Sequence, residues 1–177
     1  AGPQAEVLVV EPDPFLPSLL QRSARDPANA DRRIHVLCTA VSDQEGVARF
    51  LIADRGRSSN SLEQSGHRSQ AGGTRYVQHV TTTTLDALLD HFAPPDIIKI
   101  DVEGAETLVL RGATRMLREI RPVLYVEVGK EQNADVTRTL LDHDYRLFDG
   151  DGDHRKQLDH CVFNTLAVPA ESRRCHA

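Results

Sequence analysis

Three acidic residues stand at or just past the end of an apolar run. Glu11 follows Val7-Leu8-Val9-Val10, Asp101 follows Ile97-Ile98-Lys99-Ile100, and Glu127 lies near the end of Val123-Leu124-Tyr125-Val126-Glu127-Val128. In open parallel sheets ligands bind at the carboxyl ends of the strands, so chemistry would sit at these positions. A carboxylate at such a tip can accept hydrogen bonds from both hydroxyls of a ribose, which suits Glu11; a solvated turn residue beside Pro12 and Pro14 is the plainer alternative. Asp101-Val102-Glu103-Gly104-Ala105-Glu106 leads from a strand into a helix. There Asp101 can cap the helix, with Glu103 and Glu106 complementing its positive end. Lys99 argues for a polar site as well. It shares a side of the strand with Asp101, and a lysine inside a covered strand needs a carboxylate, from Asp101 or Glu127. If that pair is buried, Lys99→Met strands a carboxylate at a cost on the order of 3 kcal/mol.

Other motifs are weak. Asp149-Gly150-Asp151-Gly152-Asp153 looks calcium-like, but its twelfth position is His160 where a Glu is needed, so a hairpin turn is the better reading. The eight histidines show no ligand spacing, and Cys38, Cys161 and Cys175 match no zinc knuckle, so no metal is expected. The sequence contains no Walker A loop, H-E-x-x-H, G-x-S-x-G or complete G-x-G-x-x-G.

The elements that must position the acidic residues follow from periodicity. Val7–Val10 reads as a strand buried on both faces, and Pro17 as the start of a helix with Phe15, Leu16, Leu19 and Leu20 on one side. Ile34–Cys38, Val47–Ile52 and Tyr76–Thr82 read as strands, and Thr83 with Asp86 as a capping pair for a helix stopped by Pro94-Pro95. Ile97–Asp101 is a buried strand. Val109, Ala113, Met116, Leu117 and Ile120 then repeat at helical spacing before the strand Val123–Val128, which makes a βαβ unit. Val136, Leu140 and Leu141 mark a further helix, and Tyr145–Phe148 with Phe163–Val168 form a closing antiparallel hairpin. The expected class is α/β with a mostly parallel sheet. Residues 53–74, rich in Ser and Gly and carrying Arg55, Arg57 and Arg68, exceed the ~12–15 residues usual for a structureless loop. They read either as a mobile solvated loop or as a substrate-gripping lid.

Composition sets the boundaries. A chain of 177 residues, 40% of them hydrophobic, suits one domain with its own core. Twenty-one basic against 26 acidic residues, a net charge of −5, give no electrostatic reason to expect nucleic acid or an anionic membrane as partner. Five Phe, three Tyr and no Trp argue against a base-stacking platform. No apolar stretch approaches the ~18 residues that cross a bilayer. Three cysteines, an odd number, point to a reducing cytosol.

Val9-Val10-Glu11-Pro12-Asp13-Pro14, Ala40-Val41-Ser42-Asp43 with Gly46, Thr83-Thr84-Leu85-Asp86 and above all Ile98-Lys99-Ile100-Asp101-Val102-Glu103-Gly104-Ala105-Glu106 resemble the FkbM-type methyltransferases. Leu110-Arg111-Gly112-Ala113, Pro122–Glu127 and Asn164–Pro169 extend the resemblance over nearly the whole chain, in the family's order. It implies a class I, Rossmann-like fold, S-adenosylmethionine as cofactor and a hydroxyl oxygen of a sugar, polyketide or other small molecule as acceptor. By resemblance, Glu11, with Pro12 beside it, would bind the cofactor ribose, Ala40, Val41 and Ser42 would line the adenine, and Asp101 would lie near the methionine part. Methyl transfer to a hydroxyl needs in-line positioning and removal of one proton; Asp101, Glu103 or Glu127 could be the base, with Lys99 beside them. One departure stands out: only ten residues precede Glu11, where the family's first strand and Gly-rich loop should lie about 20 residues before it. The expectation is an N-terminal truncation or a shortened relative, with a gap in the sheet between the strands ending in Glu11 and Asp101. A catalytically silent binding module is the alternative reading, and an NAD-dependent oxidoreductase fits the Asp101 block less well.

Overall fold

Apolar runs become strands and periodic segments become helices, in an order close to the sequence-based one. A computed structural model describes residues 5–56, 59–65, 73–152 and 156–172. Strand β1 (Glu6–Val10) leads to helix α1 (Leu16–Ala24), then β2 (Arg33–Leu37), β3 (Ala40–Val41), β4 (Gly46–Ala53), β5 (Ser61–Leu62) and β6 (Thr74–Thr83). Helix α2 (Leu85–Leu88), β7 (Ile97–Ile100), α3 (Glu106–Arg111) and a π-helical turn Met116–Ile120 follow, then β8 (Val123–Glu127), α4 (Asn133–Asp142), β9 (Tyr145–Asp149), β10 (Gln157–Leu158) and β11 (Asn164–Pro169).

These strands form three sheets among the described residues: β1-β2, β10-β9-β11-β8-β7 and β3-β6-β4-β5. Ladders β1/β2, β7/β8 and β3/β6 are parallel; the other five, including β11 against both β8 and β9, are antiparallel. The architecture is therefore mixed α/β rather than a mostly parallel sheet. The difference arises because β4 returns along β6 over eight paired positions, a long antiparallel ribbon that the sequence reading left as separate strands. The closing hairpin forms as expected, Leu166 opposite Phe148, with β10 on the far edge of β9. Among the described residues, strand β7 has a partner on one side only, and so does β1.

One face of the five-stranded sheet carries the main core. Ile100, Leu124, Val126, Leu147 and Ala167 meet Val109, Leu110, Ala113, Met116 and Leu117 from the α3 region and Val136 and Leu140 from α4. Burying each such Leu or Val stabilises by about 1.5–3 kcal/mol. The helical periodicity read from Val109 to Leu117 is thus the core stripe. The backbone does not keep one helix throughout: Arg121 N–H donates to Met116 O at 2.8 Å, a π-type bond.

Burial differs from expectation at the edges. Ile97 is 66% exposed and Lys99 also faces solvent, while Ile98 and Ile100 on the alternate side of β7 pack on the main core. Val7 in β1 is 39% exposed, so neither run is buried on both faces. Helix α1 starts with Pro17 in its first turn, yet Phe15 and Leu19 stay exposed and only Pro17 is buried. The cap of α2 is Thr84 rather than Thr83: its Oγ1 accepts from Ala87 N–H at 3.0 Å. Asp86 instead accepts from Arg115 and Met116 N–H, both at 2.8 Å. No described helix is long and apolar enough to cross a membrane.

Candidate active site

The Glu11 turn is built by its own short-range hydrogen bonds. Glu11 N–H donates to Leu37 O at 3.0 Å, extending the β1/β2 pairing by one residue. Asp13 N–H then donates to Glu11 Oε1 at 2.8 Å, and Phe15 N–H to Asp13 Oδ1 at 2.8 Å. Pro12 and Pro14 supply no competing donors. Among the described residues, Glu11 Oε2 takes no hydrogen bond, which leaves one carboxylate oxygen for an incoming donor. Burial raises the Glu11 pKa above its ordinary value, opposed by the Asp13 N–H and reinforced by the Asp13 charge. A half-buried carboxylate with an open oxygen fits the hydroxyls of a ribose.

Next to it, Ala40-Val41-Ser42 leaves little side-chain surface for a ligand. Ala40 and Ser42 are buried, Ala40 against Ala48, Phe50, Ile52, Leu62 and Ala105. Ser42 N–H donates to Thr83 O at 2.8 Å and Ser42 Oγ–H to Asp43 Oδ1 at 3.2 Å. A planar ring here would meet Val41, which is half-buried, and backbone.

The Asp101 turn is the second half. Glu103, at φ 49°, and Gly104, at φ 95°, are successive left-handed residues, a tight reversal that stores on the order of 1 kcal/mol at the non-glycine position. Buried Glu106 locks the reversal by accepting from Gly104 N–H at 2.8 Å through Oε1. Asp101 is not the helix cap: Ala105 holds that position without a side-chain bond. Asp101 is paired with Lys99 instead, Nζ to Oδ2 at 2.7 Å, and this bond first raises the Lys99 pKa. The side chains are 60% and 38% exposed, so the pair is a surface one. Removing Lys99 then costs at most about 1 kcal/mol rather than 3.

Lys99 sits opposite Tyr125 in the β7/β8 register, and Glu127, two residues along β8, opposite Asn164 of β11. The pleat puts Lys99, Asp101, Tyr125 and Glu127 on one face. Lys99 feels the charges of both Asp101 and Glu127, whereas Glu103 stands within the reversal itself. Sequence reasoning passed over three neighbours: Tyr125 donates to Asp151 Oδ1 at 3.2 Å, and Asn164 Nδ2 donates to Asp151 Oδ2. The two-residue spacing of Tyr125 and Glu127 in one strand was the available signal. The Asp149–Gly152 stretch does form the turn after β9; Asp153 lies outside the described residues.

Two features link the halves. Leu62, Ala40 and Ala105 share a core cluster, with Val102 against it. The stretch 60–65 also touches both turns: Asn60 Nδ2 donates to Asp13 Oδ2 at 2.6 Å, and a Cβ on Gly104 would lie 3.6 Å from Ser65 O. Five residue steps span at most ~18 Å, so the Glu11 and Asp101 turns cannot sit at opposite ends of the molecule. Part of the supposed 53–74 loop is thus ordered, as β5 and a turn at Glu63–Ser65. Residues 57–58 and 66–72, on which the lid reading rests, lie outside the described residues. Elsewhere, a cavity of about 290 Å³ opens near the entry to β8, lined by Arg121, Pro122 and Glu171. Arg121 and Glu171 form an ion pair there. No described group of three or more His, Cys, Asp or Glu could hold a metal.

The family described as Methyltransferase FkbM domain matches residues 1–147, most of the chain and every candidate residue above except Asp151 and Asn164. No curated protein matches the chain, and no solved structure does.

Proposed function

Because the chain belongs to the FkbM methyltransferase domain family, we propose that it is an S-adenosylmethionine-dependent enzyme that methylates a hydroxyl oxygen of a small molecule such as a sugar or polyketide. The observation that carries this reading is the common attachment of the Glu11 and Asp101 turns to residues 60–65. In a Rossmann-like arrangement of one domain, β1-β2 and β7-β8 would present these turns to one crevice.

When bound, the cofactor supplies a methyl group on a cationic sulfur. The chain supplies position and charge. Glu11 Oε2 would accept from ribose hydroxyls while Oε1 stays fixed by Asp13. Val41 and backbone atoms of Ala40 and Ser42 would flank the adenine. Asp101, hydrogen-bonded to Lys99, would lie toward the cationic end, where opposite charges favour one another. The acceptor hydroxyl must lose one proton as its oxygen takes the methyl, and a carboxylate of Asp101, Glu103 or Glu127 receives it. The Asp151, Tyr125 and Asn164 group offers hydroxyl, amide and carboxylate atoms to a polar acceptor on the same face.

Incubation with methyl-labelled S-adenosylmethionine and a panel of sugars and polyketide alcohols tests this. Label appearing in a base-stable ether, lost with Asp101→Asn, supports it. Absence of both transfer and S-adenosylhomocysteine binding at millimolar concentration favours the silent binding module, and binding of NAD alone favours an oxidoreductase.

A further inference from the structure

Asn60 carries no charge and no nucleophile, and nothing in the sequence marks it, yet it joins three parts of the rim. It is buried at 7% exposure. Its Oδ1 accepts from Ala53 N–H at 2.9 Å, which ties it to the end of β4. Its Nδ2 donates at 2.6 Å to Oδ2 of Asp13, a carboxylate only 1% exposed. Asp13 in turn accepts from Phe15 N–H through Oδ1 and donates its own N–H to Glu11 Oε1. A buried carboxylate is tolerated only where donors surround it, and here one of the two identified donors comes from 47 residues away. An amide is suited to position 60 because it accepts from β4 and donates to Asp13 at once. Beyond Asn60 the chain runs as β5 along β4, Leu62 opposite Phe50, and reaches Ser65, which lies against Gly104 of the Asp101 turn.

We propose that Asn60 is a positioning residue for the cofactor site: through Asp13 it fixes the Glu11 carboxylate, and through residues 61–65 it sets that carboxylate's distance from the Asp101 turn. The proposal rests on the reading that Glu11 holds the ribose, and it adds a residue outside every sequence motif. Asn60 touches no reacting atom. It acts by removing alternative orientations of the Glu11 turn, so that the loss of freedom on binding is smaller.

The chemistry allows a reciprocal exchange. In Asp13→Asn combined with Asn60→Asp, Asn at 13 still accepts from Phe15 N–H and donates to position 60, and Asp at 60 still accepts from Ala53 N–H. Two readouts are taken on the full chain, amide hydrogen exchange by NMR and calorimetric titration with S-adenosylhomocysteine. Asn60→Ala is expected to speed exchange of the Asp13 amide at least tenfold, to leave the Leu124 and Val126 amides of β8 unchanged, and to weaken S-adenosylhomocysteine about tenfold. Asn60→Asp alone, which sets two carboxylates against each other, is expected to be worse, and the double exchange to return both readouts to within about threefold of the original chain. The proposal is overturned if Asn60→Ala changes neither readout, if it speeds exchange in β8 equally, or if the double exchange keeps β8 protected without restoring the Asp13 amide. Glu11→Gln separates the two ideas: unchanged S-adenosylhomocysteine affinity in that variant defeats the ribose reading, while the Asp13 amide still decides whether Asn60 governs the turn.

Discussion

Glu11 sits where ionisation is disfavoured, and the disfavour has a use. Burial holds its pKa above the ordinary 4.5, so the folded chain binds the proton more tightly than the unfolded one. The stability linked to this group is fully present below pH 4.5 and is lost as the pH rises through the folded value. At neutral pH the ionised carboxylate therefore strains the fold until hydroxyl donors reach it. Glu11→Gln is expected to raise the melting temperature slightly at pH 7, to leave it unchanged at pH 4, and to weaken S-adenosylhomocysteine at least tenfold, since hydrogen bonds to charged groups contribute about 1.5–3 kcal/mol. Thermal melts at the two pH values and a calorimetric titration check this; a variant that is less stable yet binds normally contradicts it. At this scale the sequence exposed Glu11, Lys99, Asp101 and Glu127 because each interrupts or ends an apolar run. It hid Asn60, Asp151 and Asn164, whose importance arises from partners 13 to 47 residues distant.

Helix α3 and the turn after it act as a spacer between the core and the Ala40–Ser42 rim. A Cβ on Gly112 would lie 2.3 Å from Ser42 O, 3.1 Å from Thr84 Cβ and 3.2 Å from Asp43 Cα. Gly112 has negative φ, so close approach rather than backbone freedom requires glycine there. Gly112→Ala should cost about 1–3 kcal/mol by forcing β3 outward, and should weaken S-adenosylhomocysteine together with stability; denaturant unfolding measures the first. An unchanged midpoint contradicts this packing. At the entry to β8, buried Tyr145 donates to Pro122 O at 3.1 Å beneath the Arg121 guanidinium, and burial pushes its pKa up to about 12. Folding favours the protonated phenol, so stability is lost as the pH rises from about 10 toward 12. Tyr145→Phe is expected to lack that alkaline slope; a matching slope in the variant contradicts the assignment. The longer strands and the core stripe were legible because periods of 2 and 3.6 need several residues to show. Two-residue strands such as β3 and β5 carry no period, and the edge status of β7 depends on a neighbour that its own sequence does not describe.

For the whole molecule, the decisive property is that β1-β2 is hydrogen-bonded separately from the five-stranded sheet, with β1 and β7 each paired on one side among the described residues. Leu8, Val10 and Leu37 pack against the main core only as partly buried residues. Local opening follows the weaker attachment, so the amides of β1 and β2 should exchange through a sub-global unfolding well below the global limit, while those of β8, flanked by β7 and β11, should report global unfolding. Equal protection in the two regions contradicts this. Strand order of this kind was not readable from hydrophobic pattern, which gives elements and faces but not which edge meets which; the order of the family's motifs brought the Asp101 block and its following helix and strand into view together. The most direct test of a shared rim is an NMR titration of the full chain with S-adenosylhomocysteine. The expected result is that amides of Glu11 and Asp13, of Val41 and Ser42, and of Asp101 to Gly104 shift together along one saturation curve, and that Glu11→Gln weakens all three sets equally. Shifts confined to one of these turns, or none at millimolar ligand, would contradict a site built from both halves.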